Sequence, residues 1–320
     1  MSYKSLSKLF FALAPMDDVT DTVFRQIIAD CTPPDLYFTE FVNVDGLVSP
    51  GRPKLLKKLK HTDKDQPLIA QLWGLKPENF YKIAEEIASG KLGKFAGIDL
   101  NMGCPVKSEV QNGTCSALIN NRSLAADIIK ATQKGAGKLP VSVKTRLGFN
   151  EIDLTWHEFL LRHNLDMLTI HGRTKKEMSK VPAHWDEIGK VRALRDKLTP
   201  KTLIVGNGDV LTRQQGLDLI GQYKLDGIMI GRGVFSDPFV FSEQSPWPNF
   251  SRSQRLELFK KHVELFAKTW PEGERNVHTL NKFCKIYING FDGAKELREQ
   301  FMQTQNISEL LAYTSSNMYS

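Results

Sequence analysis

Cysteine is scarce in this chain. The four present in 320 residues (Cys31, Cys104, Cys115, Cys284) are too scattered for a disulfide framework, and they form no pair of pairs at zinc-knuckle spacing. A stapled scaffold and a bound metal are therefore not expected. Long apolar runs are missing as well. None approaches the ~20 residues of a membrane helix. The start, MSYKSLSKLFFALAPMDD, has a short apolar core but no small-x-small cleavage site. There is no internal repeat, no low-complexity tract, and no GxGxxG after the first apolar run. Acidic residues are outnumbered, with 36 Asp/Glu against 43 Lys/Arg and a formal net charge of +7. These absences describe a soluble cytoplasmic protein with no membrane attachment, and the basic surplus suits an anionic partner.

What is present is a series of short apolar runs, each closed by Gly, Pro, Asn or a polar residue. They occupy 10–16, 36–42, 67–74, 97–105, 141–148, 167–174, 202–210 and 227–234. Such near-continuous apolar stretches are what buried parallel strands look like. Between them lie segments with helical periodicity, such as Phe80, Ile83, Ala84 and Ile87 after Pro77, and Leu124, Ala125, Ile128 and Ile129. Eight strand–helix units predict a (β/α)8 TIM barrel, in preference to an open doubly wound sheet. The composition changes at SEQSPWPNFSRSQ (242–254), and four helical patterns follow. The expected division is a barrel over 1–243 and a small all-helical C-terminal domain over 244–320.

In such a barrel the chemistry sits at the carboxyl ends of the strands. Here those ends carry Pro15-Met16, Glu40, Gln71, Asn101 with Cys104, Lys144 with Arg146, His171 with Arg173, Asn207-Gly208-Asp209 and Gly231-Arg232. The last two groups offer bare backbone N–H donors and a guanidinium where these barrels often bind phosphate, so a phosphorylated ligand is expected. Lys144 would meet the middle of that ligand. It suits either stabilisation of negative charge on a flavin or a Schiff base, and spacing does not separate the two.

The ordered set Ala14-Pro15-Met16-Asp-Asp-Val-Thr-Asp21, Gln71-Leu, Asn101-Met-Gly-Cys104-Pro105, Ser142-Val-Lys144-Thr-Arg146-Leu-Gly148, His171-Gly-Arg-Thr174, Gly206-Asn-Gly-Asp209 and Ile230-Gly-Arg-Gly233 resembles the tRNA-dihydrouridine synthases. Lys285-Ile-Tyr-Ile-Asn-Gly-Phe-Asp-Gly-Ala-Lys-Glu-Leu-Arg298 extends the resemblance into the C-terminal part. The resemblance implies an FMN-dependent oxidoreductase that uses NADPH to reduce uridines of tRNA to 5,6-dihydrouridine. It implies that Pro15, Met16, Gln71, Lys144, His171, Asn207, Gly208, Asp209, Gly231 and Arg232 hold FMN. Cys104 would be the catalytic residue. Asn101 would help position the target base, with Arg146 and Arg173 as further substrate contacts and tRNA as the partner of a monomer.

After hydride reaches C6 of the uracil ring, C5 needs a proton, and a thiol with an ordinary pKa of ~8.5 suits that task. Cys104 is therefore expected to be a neutral thiol, with Cys115 structural. Residues 241–320 hold ten Lys/Arg against nine Asp/Glu, so almost all the basic surplus falls earlier, notably at 51–60 and 173–180. A chain lacking 250–320 is nevertheless expected to keep FMN and lose action on tRNA. One stretch departs from the family: after Thr174 comes Lys-Lys-Glu177-Met-Ser179-Lys-Val181-Pro-Ala-His184, without the usual aromatic. That puts this loop's rigidity, or its tRNA contact, in question. Competing readings are an FMN barrel acting on free pyrimidines such as dihydroorotate dehydrogenase, a noncatalytic RNA-binding barrel, and a Schiff-base aldolase.

Overall fold

The computed structural model describes residues 9–271 and 274–318. Residues 1–8, where the start of the chain was read for a leader, lie outside them. The strands are β1 (Phe10–Leu13), β2 (Tyr37–Phe38), β3 (Val42–Asn43), β4 (Leu68–Trp73), β5 (Gly97–Met102), β6 (Val141–Arg146), β7 (Met167–His171), β8 (Leu203–Asn207) and β9 (Gly227–Ile230). All their pairings are parallel, in the order β1-β9-β8-β7-β6-β5-β4-β2, with β3 also on β4. A parallel bridge between Ala12 and Leu36, with Leu13 N donating to Leu36 O at 3.0 Å, brings the two ends of the path together. This is the nearly closed barrel that eight apolar runs predict.

The second run, 36–42, is broken into β2 and β3. The hydroxyl oxygen of Thr39 accepts from Gln71 N at 3.0 Å, while Thr39 Oγ1 donates to Glu40 O at 2.7 Å. A side chain thus takes the N–H that the ladder would otherwise use, and pairing resumes only at Val42 opposite Leu72.

The predicted helices follow their strands as Pro77–Ala88, Arg122–Ala136, Trp185–Leu198 and Arg213–Tyr223. Side-chain caps fix two of the starts. Asn121 Oδ1 accepts from Leu124 N at 3.2 Å and Thr212 Oγ1 from Gln215 N at 3.1 Å. The first two helices approach closely because residue 135 is glycine: a Cβ there would lie 2.2 Å from Tyr81 O.

Two compact units divide the chain: Met1–Thr22 with Pro34–Gly231, and Val23–Pro33 with Arg232–Ser320. The second unit thus begins at Arg232 rather than 244, and it takes in an early segment that the composition did not flag. Its helices include Thr22–Cys31, which carries Phe24, and Arg252–Thr269, Asn281–Tyr287, Ala294–Gln303 and Ile307–Ser316. The longest opens on a capping box between Ser251 and Gln254. Aromatic rings fill its core. Phe24 stacks on Phe283 at 5.0 Å between centroids, Phe259 lies 5.3 Å from Tyr287 and 5.7 Å from Phe301, and buried His262 hydrogen-bonds Tyr287 Oη through Nδ1 at 2.8 Å. Burial lowers the His262 pKa to about 3, so it packs as a neutral ring.

Candidate active site

Strand alternation sorts the barrel interior into layers. Phe10, Ala12, Leu36, Phe38, Ile69, Met167, Val205 and Met229 form one buried apolar cluster. Toward the carboxyl ends the residue types change. Register pairs Gln71 with Asp99 and Asp99 with Ser142, then Asn101 with Lys144 and Lys144 with Thr169, then Arg146 with His171 and His171 with Asn207. Because side chains alternate along a strand, Asp99 and Asn101 share one face of β5, as Ser142 and Lys144 share one face of β6.

A continuous hydrogen-bond chain crosses this layer. Ser142 Oγ donates to Asp99 Oδ1 at 2.6 Å, and Gln71 Nε2 donates to Asp99 Oδ2 at 2.7 Å. Asn101 Nδ2 donates to Gln71 Oε1 at 3.2 Å. Asn101 Oδ1 then accepts from Gly103 N at 3.1 Å and from Cys104 N at 3.0 Å. The strand-end asparagine therefore holds the backbone that carries the Cys104 thiol. Asp99 was missed in the sequence, although a lone carboxylate in the apolar run GIDLNM is itself a signal.

Cys104 is partly exposed and Cys115 is buried. The neighbouring Cys115 thiol favours the Cys104 thiolate and draws its pKa below the ordinary thiol range. The same contact, with burial added, pushes the Cys115 thiol far up. The sequence expectation of a neutral Cys104 thiol took no account of this neighbour, which favours the more acidic form. Neither spacing nor composition could show this, because the loop must first fold back so that Ser116 N donates to Cys104 O at 3.3 Å.

The two arginines named as substrate contacts are engaged with the protein itself. Arg146 donates through Nε to Gly103 O at 2.8 Å and through Nη1 to Thr174 O at 3.1 Å and Met178 O at 3.0 Å. Arg173 pairs with Asp209 and donates to Val181 O, while its Nη1 is buried without a hydrogen-bond partner. Asp209 also accepts from Ala183 N at 3.0 Å. The atypical loop is braced without an aromatic of its own. Glu177 accepts from Thr174 N at 2.7 Å and bonds His184 at 2.9 Å, and Lys175 lies 4.9 Å from the Phe149 ring centroid.

Of the remaining residues, Met16 N donates to Thr20 Oγ1 at 2.8 Å, which shapes the turn after Pro15. Asn207 Nδ2 donates to Met229 O at 2.8 Å, tying the ends of β8 and β9. Gly208 stands at φ +141 beside Ala183, and Arg232 occupies the N-cap position of the short helix Gly233–Ser236 without a side-chain cap bond.

Three observations fit a bound anionic cofactor at this mouth. The Lys144 ammonium has no hydrogen bond or salt bridge among the described residues, and burial lowers its pKa to about 8. Thr169 Oγ1 is buried without a partner. A Cβ on Gly231 would meet only Ala14 Cβ at 3.6 Å and Met16 Sδ at 3.9 Å, so the protein's own packing does not require glycine there. No cluster that could hold a metal, and no helix long and apolar enough to cross a membrane, occurs among the described residues.

Comparison with known proteins identifies the family. Residues 12–318 match the dihydrouridine synthase (Dus) family. The chain is 45% identical over 314 residues to "Probable tRNA-dihydrouridine synthase 2" of Bacillus subtilis (strain 168), covering 97% of this chain and 94% of that protein. It is 45% identical over 313 residues to "Probable tRNA-dihydrouridine synthase" of Staphylococcus aureus (strain COL), covering 97% and 93%. Among solved structures, morphinone reductase shares the fold at a TM-score of 0.51 and 11% identity, over 75% of this chain and 86% of that one. The chain belongs to the dihydrouridine synthase family.

Proposed function

We propose that this chain reduces the C5–C6 bond of specific uridines in tRNA to 5,6-dihydrouridine, with FMN as cofactor and NADPH as reductant. What supports the reading is that Gln71, Asn101, Lys144, His171 and Asn207 stand toward the carboxyl ends of consecutive parallel strands, with Gln71 bonded to Asn101 and the Cys104 backbone held by Asn101. The relatives' names supply the substrate class.

Bound FMN, when reduced, supplies a hydride for C6 of the uracil ring. Pro15, Met16, Gln71, Lys144, His171, Asn207, Gly208, Asp209, Gly231 and Arg232 are the residues proposed to hold it. The Lys144 ammonium offers a cation where negative charge must be borne. Cys104 donates the proton to C5. Its sulfur then carries the charge, and the Cys115 thiol stabilises it there. Asn101 orients the target base while its own carbonyl fixes the Cys104 backbone. Arg146 and Arg173 keep a proposed role near substrate, exerted through the loops they pin. The target uridine must leave its stack to present C5 and C6. The helical unit and the basic stretches at 51–60 and 173–180 are proposed to bind tRNA phosphates, giving salt-dependent affinity.

The test is to map dihydrouridine in tRNA from cells with and without the gene, together with reduction of unmodified tRNA by the purified yellow protein. Cys104→Ala should bind FMN and lose at least ~100-fold in turnover. No lost tRNA site, or turnover of free orotate instead, would remove the reading.

A further inference from the structure

Asp99 is 0% exposed, in the middle of β5, a place where a carboxylate is costly unless satisfied. Its two oxygens are each held by a donor: Gln71 from β4 and Ser142 from β6. The cation that faces it is Lys144, on the same face of β6 two residues beyond Ser142. Lys144 is in turn faced by Arg146 on its own strand and by Cys104 after β5, and His171 stands at the end of the adjacent β7. Asp99 thus lies one layer below Asn101 and Lys144, linked to the first through Gln71 and to the second by charge.

We propose that Asp99 is a positioning residue for the reaction: from beneath the mouth it orients the Gln71 and Asn101 amides and supplies the counter-charge of the Lys144 ammonium. An ionised carboxylate only accepts, so Gln71 must turn its NH2 toward Asp99 and its carbonyl toward Asn101. At the far end Gly103 N and Cys104 N only donate, so they demand the same polarity. The chain is held at both ends by groups that cannot invert. Lys144, which has no salt bridge among the described residues, depends on the Asp99 carboxylate that faces it. Burial lifts the Asp99 pKa to about 6, with Ser142, Gln71 and Lys144 pulling it down. Protonation of Asp99 therefore releases the lower anchor and the counter-charge together, within an accessible pH range.

The proposal is tested on the cofactor-free full chain. Lysines are reductively methylated with 13C, and Lys144→Arg identifies the Lys144 resonance. In the wild type that resonance should show its own titration near pH 8 and a second inflection near pH 6. Ser142→Ala, which removes a donor to the carboxylate, should move the lower inflection up by about one pH unit. Asp99→Asn should abolish it and shift the Lys144 titration toward acid. A lower inflection that stays in place in Ser142→Ala belongs to another group, such as His171, and overturns the proposal even if Asp99→Asn does not fold. In the holoenzyme the acid limb of kcat should follow the Ser142→Ala shift with KM for tRNA little changed, and a limb that stays put makes Asp99 structural only. The consequence for turnover rests on the dihydrouridine synthase reading. The titration of the cofactor-free chain does not, so the two fail separately.

Discussion

The buried Cys115 thiol lies against Cys104, placed to act as a donor to its sulfur, so the two cysteines titrate as a pair in which the negative charge is favoured on Cys104. Removing that donor should weaken Cys104 as an acid. In Cys115→Ala the pH midpoint of Cys104 alkylation should move to higher pH while FMN stays bound and most turnover is kept near neutrality. Cys115→Ser, which keeps a donor, should restore much of the shift. An alkylation midpoint unchanged in Cys115→Ala would show that the contact does not tune the thiol.

Arg146 ties three backbone carbonyls, Gly103 O, Thr174 O and Met178 O, into one side chain that is 7% exposed. Its loss leaves buried acceptors without donors, each worth about 1 kcal/mol. Arg146→Ala should lose roughly 2–4 kcal/mol of stability in urea denaturation. A variant of wild-type stability with only a raised KM for tRNA would instead make Arg146 a substrate contact and nothing more.

Lys144 sets a pH dependence whose sign follows from its lowered pKa. The folded state releases this proton near pH 8, whereas an unfolded lysine holds it to about 10.5. Between those values the unfolded chain binds more protons, so stability of the cofactor-free protein rises with pH across that window. The gain is about 3 kcal/mol at most, reduced by the solvent that reaches this partly exposed side chain. Because other groups titrate there too, the measurement is the difference between wild type and Lys144→Met at pH 7.5 and pH 10. Parallel stabilities for the two proteins would refute it.

Gly231→Ala separates folding from binding. The new methyl would meet only ordinary van der Waals contacts at 3.6 and 3.9 Å, so the melting temperature of the cofactor-free protein should hardly change. If a ligand's phosphate or ring comes close to this backbone, FMN affinity should fall tenfold or more in a fluorescence titration. Unchanged affinity would place the ligand elsewhere.

The strands were legible because buried parallel strands read as unbroken apolar runs, and the polar residues that close those runs mark the carboxyl ends in the sequence itself. Gln71, Asn101, Lys144, His171 and Asn207 stand on consecutive strands, toward their carboxyl ends. The break between β2 and β3 was not legible, since it depends on one Thr39 hydroxyl competing for a ladder N–H. Asp99 stood in plain view two residues before Asn101, and the period of two would have put it on the same inward face. The Cys104–Cys115 contact depends on a loop folding back on itself, which no local pattern encodes. The same holds for Val23–Pro33, whose partners lie more than 200 residues away in the sequence.

That segment has a consequence for how the protein is made and cut. Phe24 leaves the ribosome early, yet the rings it packs against, Phe235, His262 and Phe283, come late in synthesis. Through most of translation an apolar helix face waits uncovered, an opening for chaperones or for aggregation. A chain ended at 249 never supplies His262 or Phe283, so it is not a barrel with a domain neatly removed. Loss of tRNA activity in such a truncation would confound a missing binding surface with a bare patch. Charge-removing substitutions on the solvent side of the helical unit, with the full chain kept, ask the same question cleanly.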